Sequence, residues 1–170
     1  MRDLIARENL LMTLPNDSPT RSGKNPLHGR VLALDLGTKR VGVAVSDELC
    51  ITVRSLAPIQ RTSWKQLLRA VNDQIIAFDA QALVIGLPLR LDGVEGDAAA
   101  EARRIAQNFA RSLSVPVYLQ DERLTSRAAE ENLRAAGIAA SKLRARIDSE
   151  SAAVILRDFI ADSQSSINTL

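Results

Sequence analysis

The apolar residues in the first half of the chain fall into short runs that polar turns separate. VLALDL (31–36) is apolar on both faces, which is typical of a central strand. VGVAVSD (41–47) is rich in valine and predicts a second strand, and ITVRSLAPIQ (51–60) predicts a third, with Pro58 near its end. Because the connections between these runs are short, the three strands are expected to form an antiparallel meander.

From residue 63 onward, helical spacing alternates with strand-like runs. Apolar residues at helical spacing predict a helix over about 63–78, and ALVIGLP (82–88) predicts a fully apolar strand. The remaining predicted elements are a helix over about 97–113, a strand VPVYLQ (115–120), and helices over about 126–136 and 148–161. This order implies an α/β fold with a mixed sheet, in which three antiparallel strands are followed by parallel strands and helices cover both faces.

The composition of the chain divides it into an extension, a folded domain and a short tail. Residues 1–28 include NDSPTRSGKNP, which can bury little apolar surface, so this extension is predicted to be flexible. The folded domain is predicted over residues 29–162, and residues 163–170 are predicted to form a C-terminal tail. Met12 is a second candidate for the start of the protein.

Overall composition narrows the chemistry that the chain can perform. Hydrophobic residues make up 46% and charged residues 25%, which is ordinary for a soluble globular protein. Cys50 and His28 are the only residues of their kinds, so an intramolecular disulfide, a thiolate metal cluster and a histidine-based mechanism are disfavoured. Aromatic residues at 3% leave little surface for base stacking. No apolar run reaches the length of a membrane span, and a cytoplasmic location is expected.

Carboxylates follow the strands that are predicted to be parallel. Asp35 ends VLALDL, and Asp121 and Glu122 follow VPVYLQ. Asp148 falls four residues before Ala152 on the inward stripe of the last helix, at its predicted N-terminus. Each has an ordinary explanation on its own, as a turn residue, a surface charge or a helix N-cap. Together at one sheet edge they would repel one another unless a hard divalent cation neutralised them.

The segment DLGTKRVGVAV (35–45) also supports a competing interpretation. Asp-x-Gly-Thr followed by a strand resembles the first phosphate-binding hairpin of the actin, hexokinase and Hsp70 ATPases, in which the Gly-Thr turn would cradle phosphate. Those proteins enclose the nucleotide between two such domains, and a chain of 170 residues is too short for that. ATP binding that depends on Gly37 and Thr38, without metal-dependent cleavage of nucleic acid, would support this alternative.

Four motifs, in order and in register, carry a wider resemblance. DLGTKRVGVAVSD, VIGLPLRLDG, DERLTS and IDSESAAVIL resemble the motifs of the YqgF/RuvX family, and the match covers about residues 29–162. The resemblance implies an RNase H-like fold related to the RuvC Holliday junction resolvases. It also implies a nuclease that processes the 5′ end of pre-16S ribosomal RNA in the bacterial cytoplasm. This chain departs from the pattern in its longer extension and in Ser126, where threonine is common.

The same resemblance assigns roles to individual residues. Asp35, Glu122 and Asp148 match the family's acidic metal ligands for one or two Mg²⁺ or Mn²⁺ ions, and Asp121 is a further candidate ligand. Arg40 and Arg123 match its basic positions, and Arg144 and Arg146 are expected to help neutralise a phosphate backbone.

The expected partner of the chain is structured RNA such as pre-rRNA, or branched DNA. Activity on branched DNA would make the protein a Holliday junction resolvase, and a monomer or a homodimer is expected. A third possibility is a non-catalytic RNA-binding factor of ribosome assembly. Such a factor would bind RNA equally well with and without divalent metal.

Overall fold

The fold is described from a computed structural model. It covers the backbone of residues 12–13, 29–90, 92–122 and 140–167, and the side chains of 29–90, 92–122 and 150–164. Within these ranges the chain forms six strands and three helices. They are β1 (Met12–Thr13), β2 (Arg30–Leu36), β3 (Arg40–Ser46), β4 (Val53–Gln60), α1 (Trp64–Phe78), β5 (Ala80–Leu87), α2 (Asp97–Ser112), β6 (Val117–Asp121) and α3 (Ala140–Ile167).

The strands form one mixed sheet in the order β1-β6-β5-β2-β3-β4. β2, β3 and β4 pair antiparallel, as the short turns predicted, whereas β5 lies parallel to β2, and β6 lies parallel to β5. The two-residue strand β1 pairs antiparallel with β6 at the outer edge. The predicted mixed sheet, three antiparallel strands followed by parallel strands, is thereby confirmed. Its consequence for function is that β2, β5 and β6 are neighbours whose carboxyl ends lie at the same edge.

Helices cover both faces of the sheet, as predicted. On one face, Leu32 and Leu34 of the central strand β2 join a buried cluster that includes residues of α1 and α2. On the other face, Val31 and Ala33 join a second buried cluster that includes residues of α3. β2 is therefore apolar on both sides because each side meets a helical layer. Below, the second side is called the α3 face of the sheet.

Local signals explain where the first two helices begin and end. Ser63 is the N-cap of α1 and accepts a hydrogen bond from the backbone N–H of Gln66 at 3.3 Å. Asp79 ends α1 in the left-handed conformation at φ 49°. α2 starts at Asp97, after Gly96, and ends one residue before the predicted limit. The two helices predicted from the spacing of apolar residues are therefore confirmed.

The predicted start of the last helix at about Asp148 is wrong. α3 begins at Ala140 and runs to Ile167, so Asp148 lies within the helix and is not at its N-terminus. The sequence after Gly137 contains neither glycine nor proline, so no residue there interrupts a helix that starts earlier. The N-cap preference of aspartate was a misleading boundary signal. The predicted helix over 126–136 lies outside the described residues.

Membrane insertion of the helices can be assessed over the described part of the chain. None of the helices found there is both long and apolar enough to cross a bilayer.

Candidate active site

Three of the predicted carboxylates lie at the carboxyl ends of β2 and β6, the two strands on either side of β5. Asp35 is the second-last residue of β2 and lies opposite Gly42 of β3. Asp121 is the last residue of β6, and Glu122 follows it. The backbone N–H of Glu122 donates to the carbonyl of Leu87 at 3.1 Å, so the ladder between β5 and β6 continues past the strand end. This bond fixes the backbone from which the Glu122 side chain projects.

Because successive side chains of a strand point to opposite faces of the sheet, Glu122 and Asp121 lie on different faces. Tyr118 belongs to the buried cluster on the α3 face, and Gln120 donates to Asp162 of α3 at 2.9 Å. Continuing this alternation places Glu122 on the α3 face, which Asp35 shares because it follows Ala33 by two residues. Asp121 follows the alternation of residues that face α1 and α2. The fold therefore brings Asp35 and Glu122 to one side of the sheet, with Asp121 as an adjacent charge.

Gly86 of β5 lies directly beneath the Glu122 carboxylate. A Cβ atom built on Gly86 would lie 1.8 Å from Oε1 of Glu122 and 2.6 Å from Cδ1 of Ile155 in α3. Real Cβ atoms do not approach other heavy atoms so closely, so the carboxylate occupies the space that any other residue's side chain would fill. The carboxylate is thus enclosed by the β5 backbone and an apolar side chain of the helix.

These surroundings disfavour a negative charge on Glu122. Burial, followed by the nearby carboxylates of Asp35 and Asp121, raises the pKa of Glu122 to about 8. At neutral pH the group therefore tends to keep a proton unless another cation replaces it. The carboxylate oxygens of Asp35 and Glu122 are hard ligands, and Gly86 leaves the space next to Glu122 without a side chain. This donor set suits Mg²⁺ or Mn²⁺. These residues are therefore suited to hold a divalent cation.

Of the other predicted site residues, the structure describes the side chain of Arg40 but not those of the remaining four. Arg40 is the exposed first residue of β3, at the same sheet edge as Asp35. Arg123 lies outside the described residues. Arg144, Arg146 and Asp148 belong to the backbone of α3, but their side chains lie outside the described ones. Among the side chains that are described, no group of three or more histidine, cysteine, aspartate or glutamate residues is arranged to hold a metal ion.

The turn that follows Asp35 is held by a network that sequence reasoning missed. Arg61, just after β4, donates from Nη1 to the carbonyl of Gly37 at 2.9 Å. Its other terminal nitrogen, Nη2, lies 2.5 Å from Oε1 of Glu101 in α2. The backbone N–H of Arg61 also donates to the carbonyl of Lys39 at 3.0 Å. One side chain therefore ties the turn beside Asp35 to α2, and nothing in the local sequence pattern indicates it.

The same turn bears on the phosphate-cradle alternative. The N–H of Gly37 donates to the carbonyl of Asp35 at 3.1 Å, and the carbonyl of Gly37 accepts from Arg61. A Cβ on Gly37 would lie 2.4 Å from the carbonyl oxygen of Arg40, so a close approach of backbone to backbone requires glycine here. The N–H of Gly37, one of the groups that would cradle a phosphate, is engaged within the turn, which disfavours the ATPase interpretation.

Replacing Arg61 with glutamine is expected to lower the free energy of unfolding by about 1–2 kcal/mol, because a partly buried charged hydrogen bond is lost. Hydrogen exchange at the amides of Gly37 and Thr38 should become faster, since the turn loses its tie to α2. Urea unfolding and amide exchange would measure both effects. Arg104→Gln is the control, because Arg104 lies 4.0 Å from Glu101 and is exposed. Equal effects of the two substitutions would contradict the role given to Arg61.

Comparison with known proteins identifies relatives of the chain. A model of the RuvX family, described as Holliday junction resolvase, matches residues 29–162. A protein of Anaeromyxobacter sp. (strain K), named "Putative pre-16S rRNA nuclease", is 41% identical over 131 residues, which are 77% of this chain and 96% of the relative. A protein of Myxococcus xanthus (strain DK1622) with the same name is 40% identical over 131 residues, which are 77% of this chain and 87% of the relative.

Among solved structures, Thermus thermophilus RuvC in complex with Holliday junction substrate is similar at a TM-score of 0.44 and 17% identity. The similarity covers 75% of this chain and 92% of that one. The family match spans every strand from β2 to β6 and both of the carboxylates that share the α3 face. On the family match and the identity to its curated relatives, the chain belongs to the RuvX family.

Proposed function

We propose that this protein is a metal-dependent nuclease that hydrolyses phosphodiester bonds in structured nucleic acid, with Asp35, Glu122 and Asp148 as metal ligands. The observation that carries the proposal is the partly buried carboxylate of Glu122, which lies against Gly86 and whose pKa Asp35 helps to raise at the shared edge of β2, β5 and β6. Such a pair is unfavourable without a compensating positive charge. A divalent cation supplies that charge and, when bound, lowers the pKa of water to give a nucleophile.

The site residues would bind the cation and the substrate in separate roles. Asp35 and Glu122 would hold the cation from the ends of β2 and β6, and Asp148, whose backbone belongs to α3, would be the third ligand. Asp121 is an adjacent carboxylate whose negative charge would make a bound cation more favourable. Arg40, together with Arg123, Arg144 and Arg146, would contact the phosphates of the substrate. Recognition by backbone shape suits a chain with few aromatic residues.

The names of the relatives favour RNA as the substrate. The proposed substrate is pre-16S rRNA, because the curated relatives are named "Putative pre-16S rRNA nuclease". Processing of its 5′ end in the bacterial cytoplasm, by a monomer or a homodimer, extends the proposal on the resemblance of the motifs to the family. The description of the family favours a second candidate, cleavage of branched DNA as a Holliday junction resolvase. Both reactions use the same carboxylates, so the substrate and not the site distinguishes them.

A cleavage assay tests the proposal and separates these candidates. The purified protein would be incubated with an RNA that carries the 5′ leader of 16S rRNA, and separately with a four-way DNA junction. Each reaction contains Mn²⁺ or EDTA. We expect cleavage in Mn²⁺ that EDTA abolishes and that Asp148→Asn removes, with RNA as the better substrate. Cleavage of the junction alone would favour the resolvase. Metal-independent RNA binding without cleavage of either substrate would show a non-catalytic assembly factor instead.

A further inference from the structure

Gly86 is an unusual residue for its position in the sheet. It lies near the end of β5, a strand in which every residue except Gln81 is buried. A glycine inside a buried strand weakens it, because there is no side chain to pack and more backbone freedom is lost on folding. Its φ is not in the left-handed region, where Gly29 and Gly93 are found among the described residues. The backbone conformation therefore does not require glycine, and the reason must be space.

The space above Gly86 is bordered by the ends of two flexible side chains, those of Ile155 and Glu122. Cδ1 of Ile155 is the far end of a flexible side chain, so this methyl group can rotate away from a Cβ at 2.6 Å. Oε1 and Cδ of Glu122 would lie at 1.8 Å and 2.7 Å, which involves the whole carboxyl group. The backbone of Glu122 is held by its hydrogen bond to Leu87. An added methyl group would therefore displace the carboxylate, because the backbone is held in place.

We propose that Gly86 is a positioning residue, which leaves open the space in which the Glu122 carboxylate stands beside Asp35. A larger residue at this position would move the carboxylate off the β5 backbone and change the distance between the two acidic groups. The consequence for cation binding rests on the proposed function, in which both groups are metal ligands. The spatial argument is independent of it, so the two can be tested separately.

Direct measurement of Mn²⁺ binding by calorimetry tests the consequence for the cation. Gly86→Ala should weaken Mn²⁺ binding by about 10- to 100-fold, the loss typical when the support of a metal ligand is altered. Gly96→Ala is the matched control, since a Cβ there meets only Cδ of Arg90 at 4.0 Å. This control should bind Mn²⁺ as the wild type does. Equal affinity of Gly86→Ala and wild type would overturn the proposal.

A double-mutant cycle on the metal-free protein tests the spatial argument. Gly86→Ala should lower Tm by about 2–4 °C in the wild-type background, the lower end of the cost of overpacking, because the end of a flexible side chain moves. In the Glu122→Ala background the loss should be much smaller, because the displaced carboxylate is gone. Equal losses in both backgrounds would assign the conflict to Ile155 and overturn the proposal.

The double-mutant cycle still gives an answer if Gly86→Ala does not fold, and also if the wild-type protein does not cleave nucleic acid. If Gly86→Ala alone fails to fold, recovery of folded protein on adding Glu122→Ala supports the proposal, and a double variant that stays unfolded overturns it. A wild-type protein that cleaves no nucleic acid would overturn the proposed function. The stability cycle would still decide the role of Gly86.

Discussion

Replacing Asp35 with asparagine is expected to lower the rate of metal-dependent cleavage by about a thousandfold or more. The substitution keeps the shape of the side chain and removes one of the two carboxylates, Asp35 and Glu122, that the ends of β2 and β6 bring to the α3 face. A bound metal ion contributes several kcal/mol of transition-state stabilisation, and about 4 kcal/mol corresponds to three powers of ten in rate. Single-turnover cleavage in saturating Mn²⁺ measures the loss.

A second readout links the Asp35 variant to the geometry of the site without metal. Because the charge of Asp35 raises the pKa of Glu122, that pKa should fall in Asp35→Asn, as carboxyl ¹³C NMR of the metal-free protein would measure. Asp73→Asn is the matched control, since Asp73 is exposed on α1 at the opposite face of the sheet. Asp35→Asn with wild-type cleavage and an unchanged Glu122 pKa would remove Asp35 from the site.

Replacing Glu122 with glutamine is expected to abolish cleavage and to stabilise the metal-free protein at high pH. The folded-state pKa of Glu122, about 8, lies above the usual value of 4.5 for a glutamate side chain. Stability from the protonated carboxyl is therefore fully present below about pH 4.5 and is lost as pH rises through 8. Glutamine stays neutral throughout. The variant should match wild type near pH 5 and exceed it by about 2–4 kcal/mol near pH 8.5.

Urea unfolding in EDTA at the two pH values measures this difference. Glu48→Gln is the matched control, because Glu48 is exposed in the turn after β3 and should show no pH-dependent gain over wild type. Adding Mn²⁺ at pH 8.5 should then stabilise wild type and leave Glu122→Gln nearly unchanged. A gain for Glu122→Gln that is equal at both pH values would contradict a partly buried, protonated Glu122.

The elements whose apolar pattern extends over several turns or strands were predicted well. β2 was recognised as central from residues that are apolar on both faces, and α1 and α2 from helical spacing. These patterns are local because each residue's burial follows directly from the period of its own element. The start of α3 was misplaced because a favourable N-cap residue also occurs inside a helix when no glycine or proline precedes it.

Candidate site residues were predictable only as far as strand ends could be located. Asp35 and Glu122 were found as carboxylates at the ends of strands that the order of elements made parallel, and the structure places both on the α3 face. Their roles as ligands, and that of Asp148, stay predictions. Gly86 had a weak signal, a glycine in an apolar strand. Arg61 and Glu101, which are 40 residues apart, had none.

The sequence by itself determined strands β2 to β6, the helices on both faces of the sheet, the family and the carboxylates at the strand ends, because each follows from residue periodicity or from motifs in register. The edge strand β1 was not predicted. Only the tertiary structure decided that Glu122 lies over Gly86 beneath Ile155, and that Arg61 ties the turn beside Asp35 to α2. The physical reason is that such contacts join residues far apart in the chain. Their distances depend on strand register and on how each helix packs, which the local pattern of apolar residues does not specify.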